Sequence, residues 1–175
     1  MLQKLFRVRS NDRIGLDLYA RTVEQARDPA FFTVLGVADE IDARFELYTL
    51  HVLLLILRLR DEGEAGAEIA QELFDVYVSA LDNALRELGV HDVTMAKKMR
   101  KLGEALYGRM TAYEAPIRAA DRAALAEALA RNVYAGADGE TGDRLADYAL
   151  RARAGLAAQE LNSVLAQPIW AEVAA

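Results

Sequence analysis

The sequence predicts an all-α protein, and three observations carry that prediction. Apolar residues recur near the 3.6-residue period along almost every segment, no alternating strand pattern bounded by hairpin turns occurs, and helix punctuation falls between the periodic stretches. Ala, Leu, Arg and Glu are abundant and only 3 prolines occur in 175 residues, so local propensity agrees with the pattern. A single globular domain of about seven or eight helices is expected, arranged around a central antiparallel helical hairpin.

Taken in order, the chain opens with Leu2, Leu5 and Phe6 interleaved with Lys4, Arg7, Arg9 and Arg13. A solvated terminus is the preferred reading, ahead of an anchor to an anionic membrane surface. Asn11 or Asp12 then opens a helix to about Ala26. Asp28-Pro29 is an N-cap followed by proline at the first helical position, starting a short helix that holds Phe31 and Phe32 and closes at Gly36. Asp39 starts a long helix to about Asp61. Its stripe of Ile41, Phe45, Tyr48, Val52, Leu55, Ile56 and Leu59 is widened by Leu47, Leu50, Leu53, Leu54 and Leu57 to more than half the circumference. A helix this apolar belongs in the middle, with neighbours on more than one side. His51 falls among its buried positions, where a hydrogen-bonded core histidine is expected, and Glu40 is spaced to pair with Arg44.

Gly63 and Gly66 flank a polar turn. Residues 71–113 then read as the hairpin, with Phe74, Val78, Leu81, Leu85 and Leu88 on one helix and Met95, Met99, Leu102, Leu106, Met110 and Tyr113 on the next. Gly89 stops the first and Asp92 caps the second. Beside the buried faces lie Asp75, Asp82 and Arg86 on one helix and Lys97, Lys98, Arg100, Lys101, Tyr107, Arg109 and Tyr113 on the other. Asp82 and Arg86 are spaced to pair, and Arg109 is expected to reach Asp75 or Asp82 across the hairpin. Gly108, costly in a helix, points to a close neighbour, a contact surface or a kink. The methionines read as core filler before they read as the lining of an adaptable binding surface.

The second hairpin helix continues through Pro116 to about Ala119, and Asp121 caps a helix over 122–134. The loop GADGETG, residues 136–142, separates a helical core (1–135) from a C-terminal helical extension packed on it (136–175). Its glycines follow no strand, so a phosphate-cradling role is not supported. Two further helices, 143–154 and 157–165, precede an extended tail whose Trp170 is expected to dock on the body.

Composition narrows function by exclusion. A net charge of −6 with a pI near 5.0 argues against a nucleic-acid binder. With no cysteine there is no disulfide, thiol nucleophile or thiolate metal site. The longest strongly apolar run, Leu50–Leu57, is far short of the roughly 20 residues that span a bilayer, and the N-terminus lacks the features of a secretion signal. A cytoplasmic location is expected, with peripheral contact at the inner face of the membrane left open. Asp42, Glu46 and His51 suggest a metal centre only loosely, because Glu46 and His51 are five apart and the Glu-x-x-His spacing is missing. No serine–histidine–acid pattern or nucleotide loop occurs, so no catalytic residue, metal or cofactor is assigned.

The blocks LFD…D…LRELGV-D…KKM…YGR…AY, preceded by RFELYTLH at Arg44–His51 and by ARDPAFFTVLGVADEIDARFE, resemble the ubiquinol–cytochrome c chaperone family. The resemblance spans roughly residues 15–135 and fades in the last 40 or so. One departure is His91, where the family carries a small residue. The resemblance implies a non-enzymatic chaperone for assembly of the cytochrome bc complex, holding newly made cytochrome b or another subunit of that complex. It leaves open a ribosome contact, a small helper protein and peripheral membrane contact, while the acidic charge balance predicts no direct nucleic-acid binding. Arg44, Glu46, His51, Asp75, Asp82, Arg86, Asp92, Lys97, Lys98, Tyr107, Arg109 and Tyr113 sit in the matching blocks and are the candidate interaction residues. A structural adaptor and a cofactor-dependent helical enzyme are the competing readings.

Overall fold

A computed structural model of the chain describes residues 2–87, 92–135 and 142–174, with side chains from Arg13 onward. The described residues form eight helices and no strand: α1 Leu2–Ala26, α2 Pro29–Thr33, α3 Ile41–Arg60, α4 Glu64–Glu87, α5 Asp92–Ala119, α6 Arg122–Asn132, α7 Asp143–Ala157 and α8 Leu161–Ala166. The all-α expectation is met. Helix α1 begins at Leu2 rather than at residue 11. The side chains of the basic N-terminal stretch, the turn with His91, the Asp92 side chain and most of the GADGETG loop lie outside the described residues.

Local chemistry explains the well-marked boundaries. Asp28 caps α2 by accepting from the Ala30 amide at 2.9 Å, and Asp121 caps α6 by accepting from the Ala124 amide at 3.0 Å. Asp39 does not start α3. Glu40 precedes its first turn, and Asp39 instead accepts from Arg44 at 2.7 Å, taking the partner expected for Glu40. At the end of α5, Ala120 adopts the left-handed conformation (φ 52°) and the Asp121 amide reaches back to the Pro116 carbonyl at 2.9 Å, the six-to-one bond of a Schellman stop.

The organising element is α3, not the α4–α5 pair. All nine residues from His51 to Leu59 are buried, and α1, α4, α5 and α7 all pack on this helix. Helices α4 and α5 are consecutive but touch over only a short stretch, each leaning on α3. An all-round apolar helix has more surface to cover than a one-sided one, so burial on α3 wins over closure of the hairpin. Helix α4 accordingly buries Gly66, Ala70, Leu73 and Tyr77 most deeply, while the expected stripe of Phe74, Val78 and Leu81 is its half-buried flank. Gly66 is inside α4, where a Cβ would lie 1.9 Å from the Leu59 carbonyl oxygen, so only glycine allows α3 and α4 to approach so closely.

The buried polar residues Thr22, Glu46, Thr49, His51 and Arg58 each have a hydrogen-bond partner. Arg58 donates to the Leu156 and Gln159 carbonyls at 2.8 Å each and to Glu62 at 2.6 Å, so one buried guanidinium caps the C-terminal end of α7 from α3. Arg122 forks onto Asp147 at 2.6 and 2.9 Å and holds α6 to α7. After α8 the chain runs extended. Gln159 donates to the Ile169 carbonyl and accepts from its amide, and Trp170 packs edge-on to His51 with ring centroids 5.2 Å apart.

Candidate functional site

Three groupings draw in the residues singled out by sequence. The first is a network centred on His51, fully buried where α1, α3, α7 and the tail meet. His51 Nδ1 lies 2.7 Å from the Leu47 carbonyl, an acceptor, so Nδ1 carries the proton and Nε2 accepts from Tyr148 Oη at 2.8 Å. Gln25 donates to Tyr148 Oη at 3.3 Å. Phe31 and Trp170 close over the imidazole edge-on. Burial drives the His51 pKa down from 6.5 to about 4, with the Leu47 carbonyl opposing, so the ring is neutral at physiological pH. The core-histidine expectation holds.

The second grouping fixes α5 to α3. Glu46, buried, accepts from Arg109 Nε at 2.8 Å and from Tyr113 Oη at 3.3 Å. Burial pushes the Glu46 carboxyl up, and the Arg109 and Tyr113 contacts pull it back. Arg109 therefore pairs with Glu46 rather than with Asp75 or Asp82, because α5 docks on α3 and not along α4. Asp42, Glu46 and His51 do not converge on a common point. Glu46 faces α5, and His51 is engaged by Leu47 and Tyr148.

The third is a cleft of about 430 Å³ left where α4 and α5 stand apart over α3. Leu53 and Ile56 of α3 form its floor. Ala67, Ala70, Gln71 and Phe74 make the α4 wall, and Tyr107, Met110, Thr111 and Glu114 make the α5 wall. Arg60 closes one end, 4.0 Å from Glu114. Tyr107 is 76% exposed at the lip, an aromatic that the fold does not use for its own packing. The cavity is within the size range of binding pockets, with an apolar floor and a polar rim. Next to Tyr107, Gly108 faces open space, which removes the close-neighbour explanation for that glycine.

The remaining candidates are spread round this frame. Asp82 accepts from Arg86 at 2.8 Å as spacing foretold, and Asp75 accepts from Gln71 at 2.8 Å. Asp75 is on the flank of α4 that faces α1, opposite the cleft, whereas Lys97 and Lys98 are exposed on α5. Arg44 lies over the Phe32 ring, 5.2 Å from its centroid. Sequence reasoning missed Thr111 and Glu114, which follow Tyr107 at i+4 and i+7 on one face of α5, and Arg60, which joins them only once α5 is docked on α3. It also missed Tyr148 and Arg58. The sole sequence signal for Arg58 was an arginine inside an otherwise apolar run.

Among the described residues no helix is long and apolar enough to cross a membrane. Comparison with known proteins adds the following. The family model described as ubiquinol-cytochrome C chaperone matches residues 33–171, so the likeness continues through the last helices instead of fading after residue 135. The chain is 28% identical over 119 residues to a Xenopus laevis protein named ubiquinol-cytochrome-c reductase complex assembly factor 1, covering 68% of this chain and 59% of that one. It is 24% identical over 120 residues to the Mus musculus protein of the same name, covering 69% of this chain and 40% of that one. The chain thus spans less than two thirds of the length of either relative. The crystal structure of the Cbp3 homolog from Brucella abortus superposes with a TM-score of 0.85 at 34% identity, covering 99% of this chain and 98% of the other.

Proposed function

This chain belongs to the ubiquinol–cytochrome c chaperone family, and from that premise we propose that it is a non-enzymatic assembly chaperone for the cytochrome bc complex. Its client is newly made cytochrome b or another subunit of that complex, met at the inner face of the membrane. The observation that carries this reading is the open cleft between α4 and α5. A stable monomer gains by burying Phe74, Tyr107 and Met110, yet here they border a cavity over the apolar floor of Leu53 and Ile56. Met110 gives that wall an adaptable surface, suited to a client that is only partly folded. Residues already engaged inside the fold, Glu46, Arg109 and Tyr113, hold the α5 wall in position on α3.

Filling the cleft tests this. Thr111 is exposed on the α5 wall, so Thr111→Trp occupies the cavity without disturbing the core. Its melting temperature should match that of the natural chain, while recovery of newly made cytochrome b from membranes by the tagged protein should fall sharply. Undiminished recovery with the cleft filled would remove the cleft from the account. Normal quinol-to-cytochrome c electron flow in a deletion strain would remove the assembly function.

A further inference from the structure

A second depression, on the opposite flank of α4, is not used by the cleft described above. It is a groove of about 390 Å³ between α1 and α4. The helices cross tightly at Gly15, where a Cβ would stand 3.2 Å from Glu72. Beside that crossing, Leu16, Tyr19, Val76 and Ala80 line the groove with apolar surface. Leu16 is 56% exposed, a large aliphatic side chain at the start of a well-packed stretch of α1. Among the described residues, every charged side chain in the lining is a carboxylate, Glu72 and Asp75, and Asp17 is exposed next to Leu16. Arg13 and Arg86 are outside the lining, and Arg86 is held by Asp82.

An apolar trough with an acidic edge, on a protein of net charge −6, matches a cationic amphipathic segment and repels an acidic one. We propose that this groove grips the Lys/Arg-rich flank of a membrane helix of the client. On the synthesis side of a membrane, the segments bordering transmembrane helices carry an excess of Lys and Arg beside apolar residues. The apolar residues fill the space over Leu16 and Val76, and the cations meet Asp75 and Asp17. The identity of the client rests on the function proposed above, but the groove's preference for a cationic amphipathic segment does not.

The test uses the full chain and a fluorescently labelled synthetic helical peptide with a Leu face flanked by Lys and Arg, read by anisotropy. A matched peptide with Glu in place of every Lys and Arg is the control. Expected are measurable binding of the cationic peptide alone, weakening as salt rises, and about tenfold weaker binding for Asp75→Lys. Leu16→Gln should also weaken binding, by about tenfold, and Thr111→Trp in the other cleft should leave it unchanged. Equal binding of the acidic peptide, an unaltered affinity in both groove variants, or loss of binding in Thr111→Trp alone would overturn the assignment. So would self-association of the chain that the cationic peptide does not displace. If the peptide behaves as expected while no cytochrome bc subunit is recovered from membranes, the groove stands and the proposed client falls.

Discussion

The His51 network makes stability depend on pH in a defined direction. The imidazole is fully buried and its pKa in the fold is about 4 against 6.5 for an ordinary histidine, because burial disfavours the charged ring. The unfolded chain therefore binds a proton at a higher pH than the folded chain does. Above about pH 7 neither state is protonated there and the network contributes in full. As pH falls below 6.5 the unfolded state gains the proton and the fold loses stability, until the folded ring titrates near 4. The interval from 6.5 to about 4 corresponds to about 3 kcal/mol, of which about 2 kcal/mol is gone by pH 5. Urea unfolding at pH 8, 6.5 and 5, with and without His51→Gln, measures it. The variant should be less stable at pH 8 but nearly flat over this range once the carboxylate background, common to both proteins, is subtracted. A His91→Asn background leaves a single histidine resonance, which should titrate near pH 4 in the fold. A resonance titrating near 6.5, or an unchanged pH slope in His51→Gln, would refute the reasoning.

Other substitutions test the packing. Arg58→Met keeps the aliphatic stem but leaves the Leu156 and Gln159 carbonyls uncapped, so denaturant unfolding should show a loss of about 3 kcal/mol. Arg58→Lys should recover part of it. Gly66→Ala places a methyl group 1.9 Å from the Leu59 oxygen, and the α3–α4 crossing must open, costing about 3 kcal/mol in the same assay. Ala120→Gly relieves a left-handed alanine and should raise stability by about 1 kcal/mol, visible as a higher melting temperature.

Much of this fold is legible in the chain, and the illegible part has a common cause. Caps such as Asp28 and Asp121 act within three residues, so spacing alone locates them. The all-round apolar character of α3 announces a central helix for the same reason. Partner choice across the molecule is different. The sequence offers Asp75 and Asp82 to Arg109 because they lie on the neighbouring helix, and only the placement of α5 on α3 brings Glu46 within 2.8 Å. A short connection suggests a closed hairpin, yet the competition for the surface of α3 separates α4 from α5 and so creates the cleft. Tyr107 reads as one more polar-face residue until the wall it joins exists. Periodicity reports which side of a helix is buried, not against what.

The three cross-links that enclose α3 and its approach join residues nearly a hundred positions apart: His51 with Tyr148 (97), Arg58 with Leu156 (98) and Leu35 with Tyr134 (99). Contacts of such long range make folding slow, because each requires a large loop to close before it is rewarded. On the ribosome, the greasiest segment of the molecule is thus complete long before the parts that shield it have been synthesised. The role proposed for this protein, guarding another's exposed apolar segments, thus meets the same hazard in the protein's own birth.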